Sequence, residues 1–77
     1  MKKYTFNKRL FDARIRMGFD KKEMSISAKI SQMSYYRYES GERIPDVHTA
    51  QRIAKKLKTP VEQLFPLPNE IDKEHHV

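Results

Sequence analysis

Helix starts and stops alternate at short intervals along this chain, and that cadence limits what it can fold into. Thr5 or Asn7 can cap a helix that Gly18 stops, with Phe6, Leu10, Ala13 and Met17 as its inward stripe. Asp20 can cap the next, and Glu23 three residues on completes a capping box; Met24 and Ala28 form its inward pair. Ser31 can cap a third segment, which Gly41 follows. Pro45 disfavours helix at Ile44, and Asp46 caps a fourth segment with Val47, Ala50, Ile53, Ala54 and Leu57 on one face. Thr59-Pro60-Val61-Glu62 reads as a final start: cap, proline at the first helical position, glutamate at the third. Val61, Leu64 and Phe65 would pack inward from it, and Pro66 and Pro68 end regular structure.

No strand competes, because the alternating Met24-Ser25-Ile26-Ser27 is too short and lies inside a better helix. The expectation is an all-α, compact bundle of about five short helices over residues 1–65. Residues 66–77 lack periodicity and are expected to form a mobile acidic C-terminal tail.

Small size and the lack of cysteine sharpen this. A 77-residue chain with no cysteine cannot be stapled by disulfides or by a thiolate zinc site, so helix packing must hold it. No apolar run approaches the roughly 20 residues of a membrane span, and the basic N-terminus lacks a signal peptide's apolar segment. A cytoplasmic location is expected. The formal net charge is +6, from 16 Lys+Arg against 10 Asp+Glu. It is uneven: residues 66–77 set Lys73 against Glu70, Asp72 and Glu74. That places −2 there and leaves +8 on residues 1–65. So basic a body suits a polyanionic partner, nucleic acid first.

The stretch Ser31-Gln32-Met33-Ser34-Tyr35-Tyr36-Arg37-Tyr38-Glu39 splits when wound at about 100° per residue. Tyr35, Tyr38 and Glu39 share one half, and the two tyrosines suit the core. Gln32, Met33, Tyr36 and Arg37 fall on the other half, a face that can hydrogen-bond or stack. This segment follows another short helix across the tight turn Lys29-Ile30-Ser31, and two short helices so joined make a helix-turn-helix pattern.

The residues that carry a wider resemblance run from Gly18 to Gly41 without a gap: Gly18, Phe19, Asp20, Lys21, Glu23, Met24, Ser25, Lys29, Ile30, Ser31, Tyr35, Tyr36, Glu39 and Gly41. They continue through Arg43-Ile44-Pro45-Asp46 and Ile53-Ala54-Lys55-Lys56-Leu57 to Leu64-Phe65. In this order and spacing the chain resembles the lambda-repressor-like helix-turn-helix family of small phage and bacterial repressors, Cro-type and XRE-type proteins among them. It departs from the pattern at the turn, where the family's glycine is Lys29. Either a left-handed lysine stands there, at a cost of about 1 kcal/mol, or the turn is reshaped. It departs also at Lys21, where the family has glutamine.

The resemblance implies a double-stranded DNA partner, with the third helix in the major groove. Base contacts would come from Gln32, Met33, Tyr36 and Arg37: glutamine suits adenine, arginine suits guanine and methionine suits a thymine methyl. Phosphate contacts would come from Lys21, Lys22, Lys29, Ser34 and Arg43. The family often pairs an arginine and a glutamate, here Arg14 and Glu39, as a structural ion pair. Members usually bind inverted-repeat operators as homodimers, and the candidate dimer surface is Val61, Leu64, Phe65 and Leu67, with Ile71 beyond it. Arg52, Lys55 and Lys56 read as a solvated face, and Ile26 as an outward apolar residue where the family is usually polar.

An enzyme is not expected. His48 stands alone, His75 and His76 lie in the tail, and no H-E-x-x-H or Gly-rich phosphate loop occurs. No metal and no cofactor is implied. The alternative is a helix-turn-helix fold used as a protein-interaction module, an antitoxin or a regulator-sequestering protein. RNA is a weaker third option, since no sheet offers a stacking platform.

Overall fold

The computed structural model describes residues 4–65. Within them the chain is all-helical: α1 (Lys8–Met17), α2 (Lys21–Ala28), α3 (Gln32–Ser40), α4 (Val47–Leu57) and α5 (Val61–Leu64). The expected tail, with Leu67, Ile71, His75 and His76, lies outside the described residues, as do Lys2 and Lys3.

Capping chemistry sets the first four starts. Asn7, rather than Thr5, caps α1, its Oδ1 accepting from the Leu10 amide at 3.0 Å. Phe6 therefore stands outside the helix and is half exposed, not part of the inward stripe. Its ring instead packs on Phe11, centroids 5.4 Å apart, the position pair of a hydrophobic staple across an N-cap. Asp20 and Glu23 form the reciprocal capping box of α2: the Glu23 amide donates to Asp20 at 2.7 Å and the Asp20 amide to Glu23 at 2.8 Å. Ser31 caps α3 and Asp46 caps α4 in the same manner.

The final start differs from expectation. Thr59 does not cap α5; its hydroxyl donates back to the Leu57 carbonyl at 2.9 Å. Pro60 takes the cap position without a side-chain bond, and α5 is one turn long.

The first four helices stop on left-handed residues. Gly18 (φ 79°) and Gly41 (φ 86°) end α1 and α3, as glycine does without a Cβ penalty. Lysines do the same work at α2 and α4: Lys29 has φ 60° and Lys58 φ 53°. The turn is thus not reshaped around Lys29; the lysine adopts the glycine-like conformation. Gly41 carries a second demand, since a Cβ there would sit 1.8 Å from the Thr5 carbonyl oxygen. The N-terminal segment crosses α3 at that point, and the Asn7 amide donates to the Glu39 carbonyl at 2.8 Å.

One core lies between the helices. Leu10 and Ala13 from α1, Met24 and Ala28 from α2, Tyr35 from α3, Ile53 and Leu57 from α4, and Leu64 and Phe65 from the end are buried together. Helix α2 packs on α3 and α4, while α1 touches α3, α4 and α5. Ser25 and Ala28 are buried where α2 meets its neighbours, small residues that allow close approach. Val47 falls on the inward stripe by periodicity but is 66% exposed, because that stripe starts one turn before the packed region of α4 begins. Leu64 and Phe65 are 1% and 3% exposed, so both are spent on this chain's own core. As a dimer surface they offer almost no area, and of that candidate set only Val61 is part-exposed among the described residues.

Candidate nucleic-acid interface

Helix α3 is gripped from one side. Tyr35 is fully buried, Glu39 is 2% exposed, and Tyr38 is half-buried against the core. Arg14 of α1 meets Glu39 with two parallel bonds, Nε to Oε2 at 2.5 Å and Nη2 to Oε1 at 3.2 Å. Its third bond runs from Nη1 to the Phe19 carbonyl at 3.0 Å, and its guanidinium lies 5.4 Å from the Phe11 ring centre. The hydrogen bond to Glu39 holds Arg14 more firmly protonated than usual, against the opposing effect of burial. Arg14 thus joins α1, the α1–α2 turn and α3, fixing the angle at which α3 is presented.

The Tyr35 hydroxyl is buried next to this pair without a well-formed hydrogen bond of its own among the described residues. Burial, and after it the Glu39 carboxylate, push its ionisation far above the usual tyrosine range, so it stays neutral.

The opposite face of α3 is open. Gln32 is exposed, Met33 is 57% exposed, Tyr36 is 47% exposed, and Arg37 is half-buried. These four project from one rod whose other side is locked. Two details refine the set. The Lys21 ammonium stands 5.0 Å from the Tyr36 ring centre, a cation–π distance, so Lys21 supports a neighbour on α3 as well as carrying charge. Arg37 has a carboxylate beside it, Glu42 at 3.9 Å, and Glu42 also accepts from the Ser40 hydroxyl at 3.1 Å.

Of the candidate phosphate contacts, Lys22, Lys29 and Arg43 are exposed, and Lys21 is half-buried. Ser34 is half-buried, and its Oγ accepts from the Ser31 hydroxyl at 3.0 Å. Lys21 and Lys22 open α2, Lys29 ends it and Arg43 follows α3, so cations flank the open face at both helix ends.

Arg52 is not the solvated residue its position on α4 suggests. Its Nε donates to the Ala28 carbonyl at 2.8 Å and its Nη2 to Thr49 at 3.3 Å, so it satisfies an orphan carbonyl at the end of α2. Lys56 likewise lies 4.2 Å from the Phe19 ring centre rather than free in water. Neither role has a local sequence mark, since each depends on α4 meeting residues more than twenty positions away. Lys55 is exposed, as is Ile26 at 66%. Among the described residues no group of His, Cys, Asp and Glu converges as a metal site would require, and no helix is long and apolar enough to cross a membrane.

A family model described as helix-turn-helix matches residues 10–64. The chain belongs to the helix-turn-helix family. The match spans α1 through α5, and in this helix-turn-helix chain α2 and α3 are the two helices of the motif. A search of curated proteins finds no match. Among solved structures, the chain is similar to the restriction-modification controller protein C.AhdI from Aeromonas hydrophila, with a TM-score of 0.69 at 20% sequence identity. The likeness covers 78% of this chain and 91% of that one, and at this identity it speaks to the fold. Family membership supports a DNA-binding transcriptional regulator.

Proposed function

We propose that this chain is a sequence-specific regulator of transcription, acting as a repressor, that reads the major groove of double-stranded DNA with α3. One observation carries the reading. Gln32, Met33, Tyr36 and Arg37 stand together on the open side of a helix whose other side is anchored by Tyr35 and the Arg14–Glu39 pair. A helix held so firmly can offer hydrogen-bonding groups at fixed spacing, which base recognition needs. Gln32 serves adenine, Met33 a thymine methyl, Arg37 guanine, and Tyr36 a methyl or a phosphate.

Lys22, Lys29 and Arg43 supply the sequence-independent attraction to phosphates, with Lys21 shared between phosphate and the Tyr36 ring. Ser34 adds a further phosphate contact, since its Oγ accepts from Ser31 and its own O–H is left to donate. The working form on DNA is a homodimer on an inverted repeat, since a module this small gives a small interface on its own.

Selection of bound duplexes from a random pool tests this. The expected result is one recovered motif, repeated in inverted orientation. Recovery of no motif, with binding that follows only charge, would contradict it.

A second reading, a protein-interaction module, is favoured by exposed Ile26 on this motif's first helix. A single apolar residue is a small platform, and the mixed polar face of α3 is unlike the continuous apolar stripe of a groove-binding helix.

A further inference from the structure

Away from the open face of α3, the N-terminal segment, the loop between α3 and α4, and the end of α5 enclose a groove of about 630 Å³. Its walls are apolar and aromatic: Tyr4, Phe6, Tyr38, Ile44, Leu64 and Phe65. Tyr4, Phe6 and Ile44 are each about half exposed along it. Lys8, Arg9 and Arg43 also line it, and all three are exposed. Only Lys8 has an acidic partner among the described residues, Asp12 at 2.9 Å.

We propose that residues 66–77 of this chain dock in this groove, with Leu67 and Ile71 on its apolar walls and Glu70 and Asp72 against its cations. Three observations favour this occupant. Phe65, the last described residue, is itself part of the wall, so the next residues start at the groove's edge. The segment opens Pro66-Leu67-Pro68, and a proline-spaced segment is pre-organised for the extended polyproline form that aromatic-lined grooves accept. Its net charge is opposite to that of the groove: one lysine against three carboxylates, facing two arginines and a lysine. Reach is ample, since Ile71 lies six residues beyond Phe65, about 20 Å of extended chain. Docking has a consequence that rests on the DNA reading above. Arg43 is both a groove cation and a proposed phosphate contact, so the docked segment competes with DNA for it.

The test uses the full chain. Isotope-filtered NOE spectra of mixed labelled and unlabelled protein separate contacts within one chain from contacts between chains. Expected are contacts from the Leu67 and Ile71 methyls to the Tyr4 and Tyr38 rings and to Ile44, within one chain and unchanged on tenfold dilution. The double variant Leu67→Ser/Ile71→Ser, which alters no charge, should abolish them and shift the groove resonances. It should also bind random duplex more tightly, by at most about fivefold, the scale of one exposed ion pair.

Absence of these contacts would overturn the proposal. So would contacts found only between labelled and unlabelled chains, which would make a second copy the occupant. If the chain bound no duplex at all, the DNA reading would fall, while the NOE result would still decide the docking.

Discussion

At Lys29 and Lys58 a side chain with a Cβ sits in backbone space that suits glycine, at φ 60° and 53°. Lys29→Gly should therefore raise stability by about 1 kcal/mol in urea titration, less the added freedom of the unfolded chain. The same change removes a proposed phosphate contact, so random-duplex affinity should fall while stability rises. The glycines themselves separate two costs. Gly18→Ala meets no atom within 4 Å and should cost only the left-handed strain, about 1 kcal/mol. Gly41→Ala adds a collision with the Thr5 backbone and should cost clearly more, or shift the N-terminal segment off α3, read as weaker amide protection at Asn7. At the buried pair, Glu39→Ala leaves Arg14 charged and uncompensated, and a loss of about 3–5 kcal/mol in denaturant titration is expected. A double change of Arg14 and Glu39 to apolar residues should recover part of it, since a well-packed apolar pair can replace a buried ion pair.

Helix ends show what is legible in the sequence and what is not. Asp20 with Glu23, Ser31 and Asp46 mark their helices because capping is a local matter of three or four residues, and each cap forms. At Asp46 the bond from the Thr49 backbone amide holds the carboxylate below its ordinary pKa. Its contribution to stability is then present above the unfolded-state value, near 3.9, and is lost as pH falls through the lower folded-state value. Thermal melts of the Asp46→Asn variant should accordingly show less loss between pH 5 and roughly pH 2 than the parent. A parallel fall in both proteins would remove this cap from the acid response.

Phe6 and Val47 defeat the periodicity because it gives the angle of a side chain but not where the neighbouring elements end. Thr59 defeats the cap pattern because that pattern ignores the competing carbonyl of Leu57 in the preceding turn. Arg52, bonded to Ala28, and Lys56, over Phe19, are invisible in sequence, since long-range pairings leave no local mark. The outward face of α3 is legible from a helical wheel alone, because burying Tyr35 fixes where its other residues point. Glu42 beside Arg37 is not, for it lies past the helix end.

Across the whole molecule, the basic helical body should bind DNA with a strong salt dependence. Removing one phosphate-binding cation should lower the slope of log K against log salt by about 0.9. Lys22→Ala, at an exposed position with no structural partner among the described residues, should show this drop equally on any duplex. The proposed base contacts should behave otherwise, and that contrast bears on the central claim that the open face of α3 reads sequence. The deciding measurement is the affinity of Gln32→Ala and Arg37→Ala on a selected duplex and on a random one, at one fixed salt concentration. The expected loss is about 1–3 kcal/mol per residue on the selected duplex, with little change on the random one beyond Arg37's single charge. Equal losses on both duplexes would contradict the claim and reduce α3 to a charged surface.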